Sequence, residues 1–349
     1  MQKLRTGAAY HGNRMPHHAR ADLYDMARNH MNLVVHMLSH TDWDRHKTVM
    51  KDIVELSYEA GLEVWVDNWG LGGPPGDKSH VLAYYPDSHI YYGNGDMDPI
   101  RACLNSPDFR KFTKEWVDAV AFIGGKSIFW DEPHLPLKEV NGKTYVSCCC
   151  ARCKKLFEDK YNKPMPGEMT PEMNDFRIDG IVDYFREVTE YSASKGIENI
   201  VCVMLGTHHG ISLETIDRIC SLPTLSNIGS DPYWVGSGAN PYEFVYNNTL
   251  LNLDVCERFG KDHNIWIQSF NNPRSSEEEI VQATEAAYDA GARTIIAWGY
   301  YGSTSNDYRA KNPDAAWAAV CAGMERIWNF ERDRVLVENR KLVNYKQRG

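Results

Sequence analysis

The 349-residue chain lacks the sequence features that mark several large classes of protein. It has no run of about 18 consecutive apolar residues, the length that a membrane-spanning helix requires, and residues 1–6 contain no apolar stretch of a signal peptide. It has no long run of Lys and Arg, and its net charge is −9, so neither a nucleic acid nor a membrane is an expected partner. These absences predict a cytoplasmic protein.

Nucleotide-binding motifs and a disulfide framework are missing as well. No G-x-G-x-x-G follows a predicted strand and no G-x-x-x-x-G-K-[ST] occurs, which argues against an open doubly wound sheet that binds a nucleotide. The chain has nine cysteines. This odd number fits a reducing compartment better than a set of disulfides.

Eight short apolar runs alternate with helical patterns, and this alternation predicts parallel strands joined by crossover helices. The predicted strands are residues 6–11, 32–39, 62–68, 127–130, 199–205, 225–230, 264–269 and 294–298. Predicted helices include 42–59, with Asp42 as N-cap, 108–123 and 276–290. Eight β/α units predict a single (β/α)8 barrel over residues 1–349.

Two insertions interrupt this repeat. Residues 69–107 are rich in Gly, Pro, Asp and Tyr, and they are too long for an ordinary connection, so we expect a functional loop after the third strand that shapes a pocket. A cysteine-rich insertion follows the fourth strand.

The carboxyl ends of the strands are where a (β/α)8 barrel places its active site. Aromatic rings, carboxylates and amides follow the predicted strands, and together they suit a sugar, whose C–H faces stack on rings while its hydroxyls bond to polar groups. The predicted substrate-binding residues are His11, Asp67, Trp69, His134, His208, Tyr233, Gln268, Trp298 and Tyr300.

Hydrolysis of a glycosidic bond requires two carboxyl groups, one to protonate the leaving oxygen and one to act on the anomeric carbon. Glu132, after the fourth strand, and Asp231, after the sixth, form the first predicted pair. Asp131 is the alternative second carboxylate. A carboxylate at a strand end also commonly caps the next helix or pairs with an Arg, and this structural role is the alternative for each of the three.

The segment Trp130-Asp131-Glu132-Pro133 resembles the N-E-P signature of clan A glycoside hydrolases. The resemblance implies that Glu132 is the general acid/base. It departs from the clan pattern in two places, because Asp131 replaces the Asn and Gln268 follows the seventh strand where the clan has its nucleophilic Glu. Asp231 is one replacement for that Glu. Asp131 with Asp231 is the other, similar to the α-galactosidase-like clan.

Cys148, Cys150 and Cys153 form a C-x-C-x-x-C pattern, and Cys103 precedes the helix that leads into the fourth strand. Four thiolates suit a structural zinc ion, with free buried thiols as the alternative. The pattern resembles the zinc site of family 42 β-galactosidases.

Several histidines lie at strand ends or nearby and could bind a metal, but they form no H-x-H pair, so we interpret them as orienting residues. They are His11, His36, His40, His134, His208 and His209. The sequence therefore predicts a glycosidase for a small oligosaccharide or glycoside. A metal-dependent sugar isomerase, epimerase or lyase and a barrel that only binds carbohydrate are the alternatives. A homo-oligomer is left open.

Overall fold

The computed structural model describes residues 3–72, 79–132, 134–203 and 211–346, with side chains through residue 336 in the last segment. Within these residues, eight parallel strands close into a barrel, and neighbouring strands follow one another in chain order. The last strand pairs with the first in parallel register, with Gly7 opposite Ile296. The predicted (β/α)8 barrel is therefore confirmed.

The barrel strands lie close to the predicted runs. They are β1 (Arg5–Tyr10), β2 (Leu33–Met37), β3 (Glu63–Asp67), β6 (Ser127–Trp130), β9 (Glu198–Cys202), β10 (Leu225–Ser230), β11 (Asp262–Gln268) and β12 (Thr294–Trp298). The helices are α1 (Pro16–Arg28), α2 (His40–Glu59), α3 (Val81–Tyr84), α4 (Pro107–Ile123), α5 (Ala151–Tyr161), α6 (Pro171–Ser194), α7 (Leu213–Cys220), α8 (Pro241–Phe259), α9 (Glu278–Asp289) and α10 (Pro313–Lys346). Among the described residues, no helix is both long and apolar enough to span a bilayer.

Both insertions contain regular structure. The segment predicted as one long loop holds α3 and an antiparallel hairpin of β4 (His89–Tyr91) and β5 (Met97–Ala102). The insertion after β6 holds a second hairpin, β7 (Leu137–Val140) and β8 (Lys143–Val146), which leads into α5. The sequence analysis missed these hairpins because charged and polar residues interrupt their strands, so that no apolar run marks them.

The start of α2 differs from the prediction. Ser39, not Asp42, is the N-cap, and its hydroxyl accepts a hydrogen bond from the Asp42 backbone N–H. The Asp42 carboxylate in turn accepts one from the Ser39 N–H, which completes a capping box. Asp42 is thus the third residue of the helix, and it also pairs with Arg14, whose Nε lies 2.5 Å from Oδ1.

Aromatic side chains fill the middle of the barrel interior. Trp65, Phe129 and Trp266 are each at most 1% exposed and pack against Ile200 and Ile296. A second and larger apolar layer lies between the strands and the surrounding helices. The filled interior means that a ligand can enter only above these rings, at the carboxyl ends of the strands.

Candidate active site

The alternation of strand side chains selects the residues of the site. Since every second residue faces the barrel axis, the residues two positions beyond the interior layer also point inward. Asp67 and then Trp69 follow Trp65 in this way, and Asp131 follows Phe129. The remaining inward positions are His11 after Ala9, Met37 after Val35, Cys202 after Ile200, Asp231 after Gly229, Gln268 after Trp266 and Trp298 after Ile296.

A central cavity of about 480 Å³ opens above the interior layer. This volume lies within the usual range for a small-molecule site. Its walls combine acidic, aromatic and amide side chains. The lining residues are Trp69, Phe129, Asp131, Glu132, Cys202, Asp231, Tyr233, Trp266, Phe270, Asn271, Trp298, Asn306 and Tyr308.

Glu132 reaches this cavity through an unusual backbone conformation. Strict alternation after Asp131 would point Glu132 away from the axis, but its φ is +27°, outside the region that side-chain-bearing residues favour. Such a conformation costs on the order of 1–3 kcal/mol and concentrates at functional sites. As a result Glu132 lines both the central cavity and a second cavity on the other side of the β6 end.

The aspartates of the site carry strongly shifted pKa values. Asp67 and Asp231 are 0% and 7% exposed, and burial, followed by the negative charge of Glu132, raises the pKa of each well above its usual range. Burial and the charges of Asp67, Glu132 and Asp231 raise the pKa of Asp131 in the same direction. The site therefore favours protonated carboxyl groups at a pH where an exposed Asp is ionised.

Glu132 and Asp231 lie close enough to influence each other. Burial, followed by the charge of Glu132 and hydrogen bonding with it, raises the pKa of Asp231. Like charges at such a separation favour a proton on one of the two carboxyl groups.

His11 lies among aromatic rings at the wall of the site. Its ring centroid is 5.0 Å from that of Trp69 and 5.1 Å from that of Trp298. Burial, with a smaller effect of Arg14, lowers the pKa of His11 to about 3. The imidazole is thus neutral at physiological pH.

His134 lies beside the acidic pair rather than in the central cavity. Its Nε2 is 3.7 Å from Glu132 Oε2, and it lines the second cavity. The Arg177 guanidinium holds the backbone next to His134, because it donates hydrogen bonds to the carbonyl oxygens of Leu135 at 2.5 Å and Ser147 at 2.7 Å. The imidazole of His134 therefore lies beside the Glu132 carboxyl group.

Two of the predicted substrate-binding residues direct their polar groups to other parts of the protein. Gln268 uses its side chain on the backbone, since Oε1 accepts from the Val235 N–H and Nε2 donates to the Phe270 carbonyl. Tyr300 begins a 3₁₀ helix that turns the chain away after β12, and its hydroxyl lies 3.3 Å from both Asp22 and Asp25. His208 lies outside the described residues.

The site also contains residues that the sequence analysis missed. Phe270 continues the inward alternation of β11 past Gln268, so the period could have identified it. Asn306 and Tyr308 come from the loop after β12, where the Tyr308 carbonyl accepts from the Asn271 N–H at 2.8 Å. No local pattern predicts their position, because they depend on where that loop folds back.

The four predicted cysteines come together on the side of the barrel. All four sulphur atoms lie within 4.8 Å of one another, with Cys103 Sγ 3.5 Å from Cys153 Sγ and 3.9 Å from Cys150 Sγ. Four sulphurs around a tetrahedral ion at about 2.3 Å would be spaced by about 3.8 Å. The cluster is therefore compatible with a structural metal ion.

Comparison with known proteins shows similarity in structure alone. No family model matches the chain, and no similar protein was found among curated sequences. The catalytic domain of β-amylase from Paenibacillus polymyxa matches with a TM-score of 0.63 and 10% identity, over 93% of this chain and 97% of that one. A β-galactosidase from the psychrophilic Marinomonas ef1 matches at 0.70 and 13%, over 96% of this chain.

The chain spans 60% of the length of that β-galactosidase. A D-allulose 3-epimerase from Methylomonas sp. also matches, with a TM-score of 0.50 and 14% identity over 94% of this chain and 98% of that one. At these identities the likeness shows the fold, a barrel of the kind found in glycoside hydrolases. The chemistry has to be argued from the site itself.

Proposed function

We propose that this protein is a glycoside hydrolase that acts on a small oligosaccharide or glycoside, with Glu132 as the general acid. The observation that carries the proposal is that Glu132 and Asp231 line one cavity together with aromatic rings, and that burial and the charge of Glu132 raise the pKa of Asp231. A carboxyl group that keeps its proton beside a second carboxyl group can protonate a leaving oxygen.

The aromatic walls support a sugar ligand. Trp69, Trp298 and Tyr233 offer ring faces to the C–H faces of a pyranose, and the carboxyl groups and the amide of Asn271 can bond to its hydroxyls. Glu132 would protonate the glycosidic oxygen, while Asp231 or Asp131 acts on the anomeric carbon directly or through a water molecule.

The separation of the two carboxyl groups decides the stereochemistry. Retaining enzymes hold them about 5–5.5 Å apart and inverting enzymes about 6.5–9.5 Å. Asp231 and Asp131 are the two candidates for the second carboxylate of the proposal. Analysis of the anomer released from a cleaved glycoside distinguishes retention from inversion.

A metal-dependent isomerase or epimerase is less well supported by the site. Among the described residues, the four cysteines are the group whose ligand atoms lie close enough together to bind one ion. The carboxyl groups of the central cavity and the histidines near it do not form such a group. For the cysteines we propose a structural zinc ion, because four thiolates leave no open coordination position for water or substrate.

The proposal is tested by screening aryl α- and β-glycosides for release of the aryl group by the wild type and by Glu132→Gln. Glu139→Gln, on the exposed face of β7, is the matched control. We expect one class of glycoside to be cleaved, and we expect Glu132→Gln to lower turnover by about 10²–10⁴-fold while Glu139→Gln is unchanged. Cleavage at the wild-type rate by Glu132→Gln contradicts the role of Glu132. If no glycoside is cleaved but sugars bind, a barrel that only binds carbohydrate is favoured.

A further inference from the structure

The ionisable groups of the central cavity are all acidic. Asp131, Glu132 and Asp231 line it, and Asp67 lies on the same inward face of β3 between Trp65 and Trp69. No Lys or Arg is among the described lining residues. Residues 204–210, which follow β9, contain none in their sequence either.

Asp67 and Asp231 have buried carboxyl oxygens that accept no hydrogen bond from the described part of the chain. These atoms are both oxygens of Asp67 and Oδ1 of Asp231. Asp67 is 0% exposed, and the described residues give Asp67, Asp131 and Asp231 no ion pair with Lys or Arg. Arg14, whose charge is felt at His11, is already paired with Asp42. Cleavage of a glycoside uses two carboxyl groups, so the site has two more than the reaction requires.

The walls of the cavity suit a cation as well. The ring centroids of Trp69 and Trp298 are 5.1 Å apart, those of Trp266 and Trp298 are 5.2 Å apart, and those of Tyr233 and Phe270 are 5.0 Å apart. Aromatic faces attract cations through the ring quadrupole, most strongly where water is excluded. Aromatic faces together with surplus carboxylates are the groups that recognise an ammonium ion.

We propose that the sugar bound in the central cavity carries a positive charge, as an amino sugar with a free ammonium group does. This inference rests on the proposed function. An ammonium group gives the surplus carboxylates a partner and lies against the rings. A neutral sugar gives them hydroxyl donors but no charge, and a uronic acid or a sugar phosphate is repelled by the acidic wall.

The test measures binding of free monosaccharides and therefore does not depend on turnover. Glucose, glucosamine, N-acetylglucosamine and glucuronate form one matched set, and the corresponding galactose compounds form a second. Tryptophan fluorescence reports the binding, because Trp69, Trp266 and Trp298 line the cavity. We expect the amino sugar of at least one set to bind about tenfold or more tightly than its neutral and N-acetylated analogues. We expect the uronate to bind most weakly.

Two further measurements separate this preference from general attraction to an acidic protein. Asp67→Asn should reduce the preference for the amino sugar, whereas Glu139→Gln at the exposed β7 position should not. In the wild type, most of the preference for the amino sugar should remain in 0.5 M NaCl, because buried charges are less screened than exposed ones. A preference that came from exposed carboxylates would be lost at this salt concentration. The salt measurement stands even if Asp67→Asn does not fold.

Equal affinity for the neutral and amino sugars, or failure of both amino sugars to bind, overturns the inference. If a neutral aryl glycoside is hydrolysed and amino sugars are not preferred, the inference fails while the proposed function stands. If amino sugars bind preferentially and no glycoside of any charge is hydrolysed, the proposed function fails and the binding inference stands.

Discussion

The central cavity and the cysteine cluster each gather four acidic side chains of one kind, but they do so at different spacings. The four thiols lie on loops and at the start of α5, and all their sulphurs approach within 4.8 Å. The carboxyl groups of the cavity lie at the ends of β3, β6 and β10, and β9 separates β6 from β10 in the barrel. Adjacent strands are held about 4.8 Å apart by their hydrogen bonds.

This difference distinguishes a site for an ion from a site for a molecule. Loops can bring thiols to the spacing of one coordination sphere, whereas barrel strands hold carboxyl groups around an opening of about 480 Å³. Burial in this cavity raises the pKa values of Asp67, Asp131 and Asp231. Those values suit proton transfer to a ligand that enters between them.

The largest expected effect is on the acidic pair. Asp231→Asn removes the proposed second carboxyl group, which lines the cavity with Glu132, so we expect turnover to fall by about 10²–10⁴-fold. Asp44→Asn on the exposed surface is the control, with a side chain 63% exposed. Metal content should be unchanged in both variants. Retention of full turnover by Asp231→Asn would leave Asp131 as the second carboxylate.

The next effect concerns the cysteine cluster. Cys150→Ser replaces a buried sulphur that lies 3.9 Å from Cys103 Sγ with a weaker metal ligand. We expect loss of bound zinc, measured by elemental analysis, and a loss in free energy of unfolding of at least about 2 kcal/mol in urea. Cys321→Ser, on α10 and outside the cluster, is the matched control. A purified wild type that contains no bound metal, or a Cys150→Ser variant that is as stable as the wild type, would contradict the zinc site.

The third expected effect is an increase in the free energy of unfolding. Asp67→Asn removes a buried group whose ionisation is penalised by burial and by Glu132, so at pH 7 we expect the variant to be more stable than the wild type by about 1 kcal/mol. Removal of one cysteine should thus destabilise the protein, and removal of one buried carboxyl group should stabilise it. An Asp67→Asn variant that is less stable would show that Asp67 has a structural partner.

The pH dependence of this difference follows from the direction of the shift. A carboxyl group whose pKa is raised by folding favours the folded state below its unfolded pKa of about 3.9, and this contribution is lost as the pH rises through the folded pKa. The stability advantage of Asp67→Asn over the wild type should therefore grow from pH 4 upward. Urea unfolding of both proteins at several pH values measures it. An advantage that shrinks as the pH rises has the wrong sign for this account.

The sequence predicted the barrel and most of the inward-facing residues because both depend on short periods. The alternation of β3 places Asp67 and Trp69, and the spacing of Cys148, Cys150 and Cys153 is local. Cys103 could also be predicted, since it precedes the helix that leads into β6.

The remaining features depend on tertiary structure. The positive φ of Glu132 carries it to the cavity against the alternation, and nothing in its sequence neighbourhood requires that conformation. The side-chain amide of Gln268 bonds to the Val235 N–H and the Phe270 carbonyl, and these contacts depend on how the loops after β10 and β11 fold. Tyr308 reaches the cavity from a loop ten residues beyond the end of β12.

The most direct test of the central claim is how the loss of kcat/KM caused by Glu132→Gln depends on the leaving group of the substrate. Once a cleaved glycoside is known, kcat/KM is measured for its dinitrophenyl and its unsubstituted phenyl forms with the wild type and the variant. An activated leaving group requires little protonation, so the account predicts a loss of about 10²–10⁴-fold for the phenyl glycoside and a much smaller loss for the dinitrophenyl glycoside. Equal losses for the two substrates would contradict the assignment of Glu132 as the proton donor.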